Sequence, residues 1–247
     1  MCGRFATGLI AADPATPAWL GTDSAAPSPD WADDWPRREG APPLPGRPAG
    51  DWPAPSWNVA PTQTVAMVLP GEAGGPRRVV PARWGLVPHW WRKPLSDFRA
   101  TTFNARSEEA AAKPMFRDAW KRGRCLIPAL GYYEWAGKGA SKRAHFVTAR
   151  TNRPGIAFAG LWARAEVGGE TILSCTVLTT AAGEATKALH PRSPVVLDEA
   201  AFAPWLAGED PRLGPIEDER AEVREVDRAV GNVRNDDPGL VEAAALF

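Results

Sequence analysis

Four apolar runs in the second half of the chain decide the fold: CLIPALGYYEW at residues 125–135, AHFVTAR at 144–150, IAFAGLWAR at 156–164 and TILSCTVLTT at 171–180. β-Branched and aromatic residues are frequent in these runs, and glycine-containing breaks separate them. Each run has the length of a strand, and glycine is common in turns. The pattern therefore predicts consecutive β-strands that pair largely antiparallel.

The flanking sequence adds further strands and a few short helices to this sheet. We predict strands at 65–69 and 77–86 joined by the turn PGEAGGP, a late strand at 222–230, and a short strand and turn within 1–12. Helices are predicted at 107–121 (with Ser107 as N-cap and an interruption or split at Pro114), 181–190 and 199–208. Together these elements predict one α+β domain over residues 1–247, with a curved, barrel-like, largely antiparallel sheet flanked by short helices.

Residues 13–56 differ in composition from the rest of the chain. They contain eleven of the 26 prolines, and proline fixes φ and removes a backbone donor. We interpret this stretch as a Pro-rich surface insertion, with one short helix near Pro17–Leu20.

The formal net charge is zero, but the basic residues are unevenly placed. Residues 77–124 contain twelve Lys and Arg against four Asp and Glu. This excess fits either a basic face that follows a phosphate backbone or a set of solvated arginines on ordinary helices.

The cysteine and histidine content argues against disulfide and metal sites. The three cysteines form no CxxC pair, and the three histidines lack metal-ligand spacing, so we expect no metal and no cofactor. Cys125 and Cys175 lie in apolar runs and are predicted to be inert core residues. The start MCGRFATGLIAAD is not typical of a secretory signal, and no apolar run is long enough to span a membrane, so a cytoplasmic, reduced protein is expected.

Cys2 can undergo a reaction that no internal cysteine can undergo. Once Met1 is removed, the residue carries a thiol and a free α-amine whose reference pKa is about 7.7–8.0. Nitrogen can attack an aldehyde to give an imine, and sulfur can then close a five-membered thiazolidine. The alternative is that Cys2 is an accident of the start site.

Six segments together resemble one known family: MCGRF (1–5), WNVAPTQ (57–63), RWGLVPHWW (83–91), FNARSEEA (103–110), PALGYYEW (128–135) and LHPRSPVVL (189–197). The set resembles the SRAP (SOS response-associated peptidase) family, from residue 1 to about residue 235 outside the 13–56 insertion. The resemblance implies a monomeric, nucleoid-associated DNA-damage protein that shields abasic sites in single-stranded DNA. It also implies thiol chemistry, including autocatalytic Met1 removal and weak lyase activity. Two departures are the length of the insertion and Ser193, where the family often has a longer side chain.

The resemblance also assigns roles to individual residues. It implies Cys2 as nucleophile, Asn104 as the residue that holds the Cys2 amine, Glu134 as proton shuttle and His190 as the residue that assists opening of the sugar ring. Residues expected near DNA are Arg4, Asn58, Trp84, Trp90, Arg106 and Arg192.

Each residue type suits its implied role, and each also has a purely structural interpretation. An amide such as Asn104 orients an amine without titrating, or satisfies a turn. Apolar neighbours raise the pKa of a carboxyl such as Glu134, although a strand Glu is more often exposed. His190 suits proton donation or capping. Of the adjacent Trp90 and Trp91, at least one should be exposed, because alternate strand residues face opposite sides.

These observations favour covalent capture of abasic sites through Cys2. Two alternatives remain open from the sequence. One is an N-terminal-nucleophile amidohydrolase of the glutaminase type, which also begins Met-Cys-Gly, and the other is a single-strand DNA-binding module in which Cys2 is inert.

Overall fold

A computed structural model describes residues 2–8, 19–20, 22, 53–71, 75–151 and 155–244. These residues form a closed barrel, a second antiparallel sheet and a few short helices, so the predicted α+β class with a barrel-like core is confirmed. Most of the 13–56 stretch lies outside the described residues, and its assignment as an insertion stays a prediction.

Strands are the main regular elements of the described residues. The strands are β1 (Phe5–Ala6), β2 (Thr64–Leu69), β3 (Arg78–Trp84), β4 (Asn104–Arg106), β5 (Arg124–Ala129), β6 (Gly131–Ala136), β7 (Arg143–Ala149), β8 (Ile156–Val167), β9 (Glu170–Ala181), β10 (Arg192–Pro194), β11 (Val196–Leu197) and β12 (Ala221–Val226). The α-helices are α1 (Ser107–Ala110), α2 (Arg117–Arg122) and α3 (Glu199–Leu206), and 3₁₀ turns occupy Leu95–Asp97, Gly139–Ser141, Arg228–Gly231 and Pro238–Val241. None of the helices described here has the length and apolarity needed to cross a membrane.

Five strands close the barrel in the order β9, β3, β2, β5 and β8, with β8 pairing back onto β9. The β3–β9 pair is parallel, and the other barrel pairs are antiparallel. The long β8–β9 hairpin turns at Gly168 and Gly169, whose φ values are 63° and 87°. Glycine takes this left-handed backbone without strain, which fits a tight hairpin turn.

The second sheet has the order β1-β6-β7-β12 and places the N-terminus beside β6. Phe5 pairs with Tyr132, and the Tyr133 amide donates to the Arg4 carbonyl at 3.0 Å. At Gly131, where β6 begins, a Cβ would lie 2.5 Å from both the Phe146 ring and the Val147 carbonyl oxygen, so a side chain is excluded there. The first residues of the chain therefore lie along the strand that carries Glu134.

An aromatic cluster fills the barrel and supports the N-terminal segment. The Phe5 ring meets the Trp84 ring edge-on at 4.7 Å between centroids and the Phe158 ring at 5.7 Å. Cys125 and Cys175 are fully buried in the same core, and burial raises the pKa of both thiols. Both thiols thus stay protonated at neutral pH, and the prediction that they are core residues is confirmed.

A second apolar cluster lies between the barrel and helices α2 and α3. Trp205 is fully buried in it, and its indole donates to the Cys125 carbonyl at 3.0 Å. Arg124 lies over the Trp120 and Trp205 rings at 4.9 and 4.3 Å. Trp19 and Leu20 are buried in this cluster too, so at least this part of the 13–56 stretch packs against the body of the protein.

The structure confirms the main predicted strands and corrects several local expectations. The predicted break at Pro114 is confirmed, because α1 and α2 lie on either side of it. Ser107 is the first helical residue and not the N-cap, which is Arg106. The helix predicted at 181–190 is wrong. That segment forms successive turns, in which the Asp218 carboxylate accepts the Ala185 amide at 2.9 Å and competes with helical bonding.

Candidate functional site

Cys2 sits at the junction between the barrel core and the second sheet. Its side chain is 1% exposed, and its thiol donates to the Arg4 carbonyl at 3.4 Å. Burial raises the pKa of the Cys2 thiol, and the nearby Glu134 carboxylate raises it further. The thiol is therefore protonated and weakly nucleophilic at neutral pH in this arrangement.

Asn104 anchors the Cys2 backbone from the neighbouring strand β4. Its Nδ2 donates to the Cys2 carbonyl oxygen at 2.6 Å, and the residue is 9% exposed. We predicted that Asn104 would hold the amine of Cys2, but the contact observed is to the carbonyl of that residue. The Asn104 Oδ1 atom is buried and accepts no hydrogen bond from the residues described, so it can receive an N–H donor.

Glu134 projects from β6 on the same side of the strand as Tyr132. It is 5% exposed, and burial raises the pKa of its carboxyl. The positive charges of the terminal ammonium and of His190 lower that pKa, but by less than burial raises it. The adjacent Tyr133 and Trp135 pack in or against a different cluster, because adjacent strand residues face opposite sides.

The backbone of Arg192 holds the ring of His190 through Nδ1. The Arg192 amide lies 3.0 Å from His190 Nδ1 and can donate to it, and the Arg192 carbonyl oxygen lies 3.1 Å from the same nitrogen and can accept from it. Which of the two bonds forms depends on the tautomer of the ring.

The structure thus brings the four predicted catalytic residues into one small region. Hydrogen bonding joins Asn104 to Cys2, while electrostatic interaction links Glu134 to both Cys2 and His190. The arrangement places a buried thiol near a carboxyl group of raised pKa and an imidazole, and the last two are suited to proton transfer. Among the described residues, no group of three or more His, Cys, Asp and Glu could hold a metal ion.

Arg192 and Arg106 lie next to this region and are held by acids of α1. Arg192 makes a bidentate ion pair with Glu108, with both N–O distances 2.8 Å. Arg106 pairs with Glu109 at 3.0 Å. The bond from Arg192 lowers the pKa of the Glu108 carboxyl, which keeps the pair charged at neutral pH.

Two of the residues expected near DNA, Trp84 and Arg4, bond to other parts of the chain. Trp84 is fully buried, and its indole donates to the Phe103 carbonyl at 2.8 Å, so it cannot stack on a base in this arrangement. Arg4 donates to Asn58 Oδ1 at 2.6 Å and to the Val230 carbonyl at 2.7 Å. Trp90 is 45% exposed, which confirms that one of Trp90 and Trp91 faces solvent.

Asn58 is 1% exposed and ties the N-terminal segment to the C-terminal loop. Its Nδ2 donates to three backbone carbonyls, those of Val230, Asn232 and Asn235, at 3.1, 3.0 and 2.8 Å. Together with Arg4 it forms a clamp that fixes the approach to Cys2. This placement does not fit the expected contacts of Arg4 and Asn58 with DNA.

Replacing Asn58 with alanine is expected to lower the free energy of unfolding by about 3 kcal/mol, because it leaves several buried polar groups without a partner. Urea unfolding followed by tryptophan fluorescence measures this loss. The control is Gln63→Ala, which removes an exposed bond to the Ala60 amide and should cost less than about 0.5 kcal/mol. Equal losses in the two variants would contradict the clamp.

The sequence analysis missed a cluster of hydroxyl groups beside the site. Tyr132 is 1% exposed and hydrogen-bonds to Ser193 and Thr186, whose oxygens are 2.9 Å apart. Strand alternation was the signal available, since it places Tyr132 on the face of Glu134. Ser193, noted only as a departure from the family pattern, is a buried member of this cluster.

Several known proteins are similar to this chain in sequence. The abasic site processing protein YoqW of Bacillus subtilis is 31% identical over 199 residues, covering 76% of this chain and 86% of that protein. The abasic site processing protein YedK of Escherichia coli is 30% identical over 194 residues, covering 75% and 83%. The abasic site processing protein HMCES of Xenopus tropicalis is 29% identical, covering 78% and 67%.

Solved structures share the fold. A crystal structure from Bordetella bronchiseptica superposes with a TM-score of 0.70 at 23% identity, covering 92% of this chain and 100% of the other. One from Bacteroides thetaiotaomicron gives a TM-score of 0.67 at 23% identity, covering 76% and 85%. The family profile of the SOS response associated peptidase (SRAP) matches residues 1–233. The chain therefore belongs to the SRAP family.

Proposed function

We propose that this protein captures abasic sites in single-stranded DNA by forming a thiazolidine between Cys2 and the deoxyribose aldehyde. The observation that carries the proposal is the anchoring of Cys2 by Asn104 beside Glu134 and His190. The similarity to proteins named for abasic site processing supports the choice of substrate.

Removal of Met1 is the first requirement. Cys2 is almost fully buried, but loss of the preceding residue vacates the volume next to its nitrogen and creates the free amine. The Asn104 Oδ1 atom then supplies an acceptor for that amine, while Nδ2 keeps its bond to the Cys2 carbonyl. We propose that the protein removes Met1 itself, with Glu134 as the proton carrier.

The capture proceeds in two bond-forming steps after the sugar ring opens. The Cys2 amine adds to the C1′ aldehyde, and loss of one water gives an imine. The Cys2 thiol then adds across the C=N bond, its proton passes to nitrogen, and the five-membered ring closes. Because burial raises the pKa of the thiol, the amine attacks first and sulfur follows.

Glu134 and His190 move the protons that these steps require. In the tautomer whose Nδ1 accepts from the Arg192 amide, His190 carries a proton on Nε2, which suits donation to the sugar oxygen during ring opening. A Glu134 carboxyl with a raised pKa suits protonation of the hydroxyl that leaves as water. Weak strand cleavage by β-elimination from the imine is a minor outcome, because sulfur traps that intermediate.

The DNA strand is held mainly by its phosphates. Arg106 and Arg192 are the cations next to the site, and exposed Trp90 is available to stack on a base. Little base readout is expected, because an abasic nucleotide has no base edge to read. A monomer suffices for this mechanism, since all four reacting residues come from one chain.

A denaturing gel of the protein mixed with single-stranded DNA tests the proposal. An oligonucleotide with one abasic site should give a shifted covalent band, and the same oligonucleotide with an intact base should not. Cys2→Ala should give no band that survives heating. Intact mass spectrometry should show that the reactive protein lacks Met1. A band of equal strength with Cys2→Ala, or with protein that retains Met1, contradicts the mechanism.

Glu108→Gln is expected to raise the affinity for undamaged single-stranded DNA about 3- to 10-fold at low salt, because it releases Arg192 from a bidentate ion pair. Fluorescence anisotropy at two salt concentrations measures the change, which should shrink at high salt. Glu219→Gln, an exposed position, is the control for losing one negative charge. An equal gain in the control would show a general charge effect.

A further inference from the structure

A basic cavity lies apart from the candidate site, since none of its lining residues belongs to that site. Its volume is about 340 Å³, and it opens where β2 ends, where β3 and β5 begin and where α2 ends. Four cationic side chains line it, and the described lining contains no carboxylate. The cations are Arg78, Lys121, Arg122 and Arg124.

The uncompensated charge in this cavity belongs mainly to α2. Arg124 is paired with Asp210 at 2.7 Å and lies against two tryptophan rings, so it is a structural residue. Lys121 and Arg122 are exposed and form no ion pair with any acid of the described chain. Cations at the C-terminus of a helix interact favourably with the helix dipole. Because α2 has only six residues, its dipole is small and offsets little of the positive charge of Lys121 and Arg122.

A shallower depression of about 160 Å³ shares Arg122 and Trp162 with this cavity and continues toward the loop that carries Trp90. The other charged residues that line it have partners of opposite charge. Asp118 lies 3.7 Å from Arg117, and Arg164 lies 3.0 Å from Glu166. The cavity and the depression thus form one concave surface, because they share lining residues. The positive charges on it that lack an acidic partner in the described chain are those of Lys121 and Arg122, which lie beside apolar lining residues.

We propose that this surface binds a backbone phosphate of the DNA strand that flanks the abasic nucleotide. The inference rests on the proposed function and adds a second, non-covalent contact to it. β5 spans the barrel from Arg124 toward the second sheet, about 17 Å at 3.3 Å per residue. A flanking strand therefore has to extend several nucleotides from the lesion to reach the cavity.

The double variant Lys121→Glu/Arg122→Glu tests this contact in protein that also carries Cys2→Ala, so that only non-covalent binding is measured. Anisotropy titrations use undamaged single strands of about 6 and about 25 nucleotides. We expect roughly tenfold weaker binding of the long strand, which can contact the site and the cavity together, and a smaller loss for the short one, which cannot. The slope of log K against log salt should fall by about 1.4 for two lost contacts with a single strand. The neutral pair Lys121→Gln/Arg122→Gln should show a smaller loss in the same direction, even if charge reversal disturbs folding.

The matched control is Lys138→Glu/Lys142→Glu, which makes the same charge change in the β6–β7 turn. Equal losses in this control, or equal losses for both strand lengths, would overturn the proposal. Competition by free deoxynucleoside monophosphate as strong as that of the long strand would assign the cavity to a free nucleotide instead. When Cys2 is native, the double variant should still crosslink a 6-nucleotide abasic strand. If the unaltered protein fails to crosslink this strand, that result counts against the proposed function and not against the cavity.

Discussion

Replacing Cys2 with serine is expected to abolish the heat-stable crosslink while leaving a linkage that borohydride can trap. The serine variant keeps the terminal amine and therefore still forms an imine with the abasic aldehyde. Its hydroxyl is a much weaker nucleophile than a thiol and does not close a stable ring. A denaturing gel with and without borohydride should show at least a 100-fold loss of stable product, with trapped product largely retained.

The same experiment separates the role of the sulfur from that of its surroundings. Asn104→Ala removes the anchor of the Cys2 carbonyl but keeps both reacting atoms, so it should slow capture and leave the final product stable. The imine lives longer in Cys2→Ser, so cleavage of the DNA strand by β-elimination should rise. A heat-stable product from Cys2→Ser at the rate of the unaltered protein would rule out a thiazolidine.

The local elements of this fold could be predicted because their signals are local. The runs that form β7, β8 and β9 are apolar and bounded by turn residues, and the break at Pro114 follows from the missing donor of proline. Barrel closure could not be predicted in the same way. The parallel contacts of β3 and β4 with β9 join distant segments, and the strand pattern does not name a partner.

The candidate site was predictable in its membership but not in its geometry. Ordered motifs identified Cys2, Asn104, Glu134 and His190, and the fold brings them together. The motifs did not show which polar residues face the cleft. Arg4, for example, follows Cys2 by two positions, yet its guanidinium bonds to the Val230 carbonyl, a partner 226 residues away.

The hydroxyl cluster of Tyr132, Thr186 and Ser193 was also not predictable from the sequence motifs. Thr186 lies in a turn-rich segment, where hydroxyls commonly cap backbone groups, and Ser193 lies in the short strand β10. Their burial against Tyr132 depends on the turns at 183–190, which place Thr186 within 2.9 Å of Ser193. A helix in that segment, as the sequence predicted, would have hidden this contact.

Glu134→Gln is expected to slow crosslink formation about 100- to 10,000-fold, the usual contribution of a positioned general acid or base. Glutamine keeps the shape of the side chain but cannot exchange a proton. In the unaltered protein, the step that needs a protonated carboxyl should weaken as pH rises through the raised pKa of Glu134. The variant should lose this dependence, which single-turnover gels across pH 5–9 measure, and an unchanged pH profile would exclude Glu134 as the acid.

The same substitution should stabilise the fold at neutral pH while it removes activity. The pKa of Glu134 is raised in the folded state, because burial penalises the ionised carboxylate. Below the ordinary carboxyl pKa of 4.5, the group is neutral in both the folded and unfolded states and contributes no penalty. As pH rises through the raised value, the folded state must bury a charge that glutamine lacks. The melting temperature of Glu134→Gln should therefore exceed that of the unaltered protein at pH 7 and match it near pH 4. A difference of the opposite sign at pH 7 would mean that His190 and the terminal amine stabilise the carboxylate more than burial destabilises it.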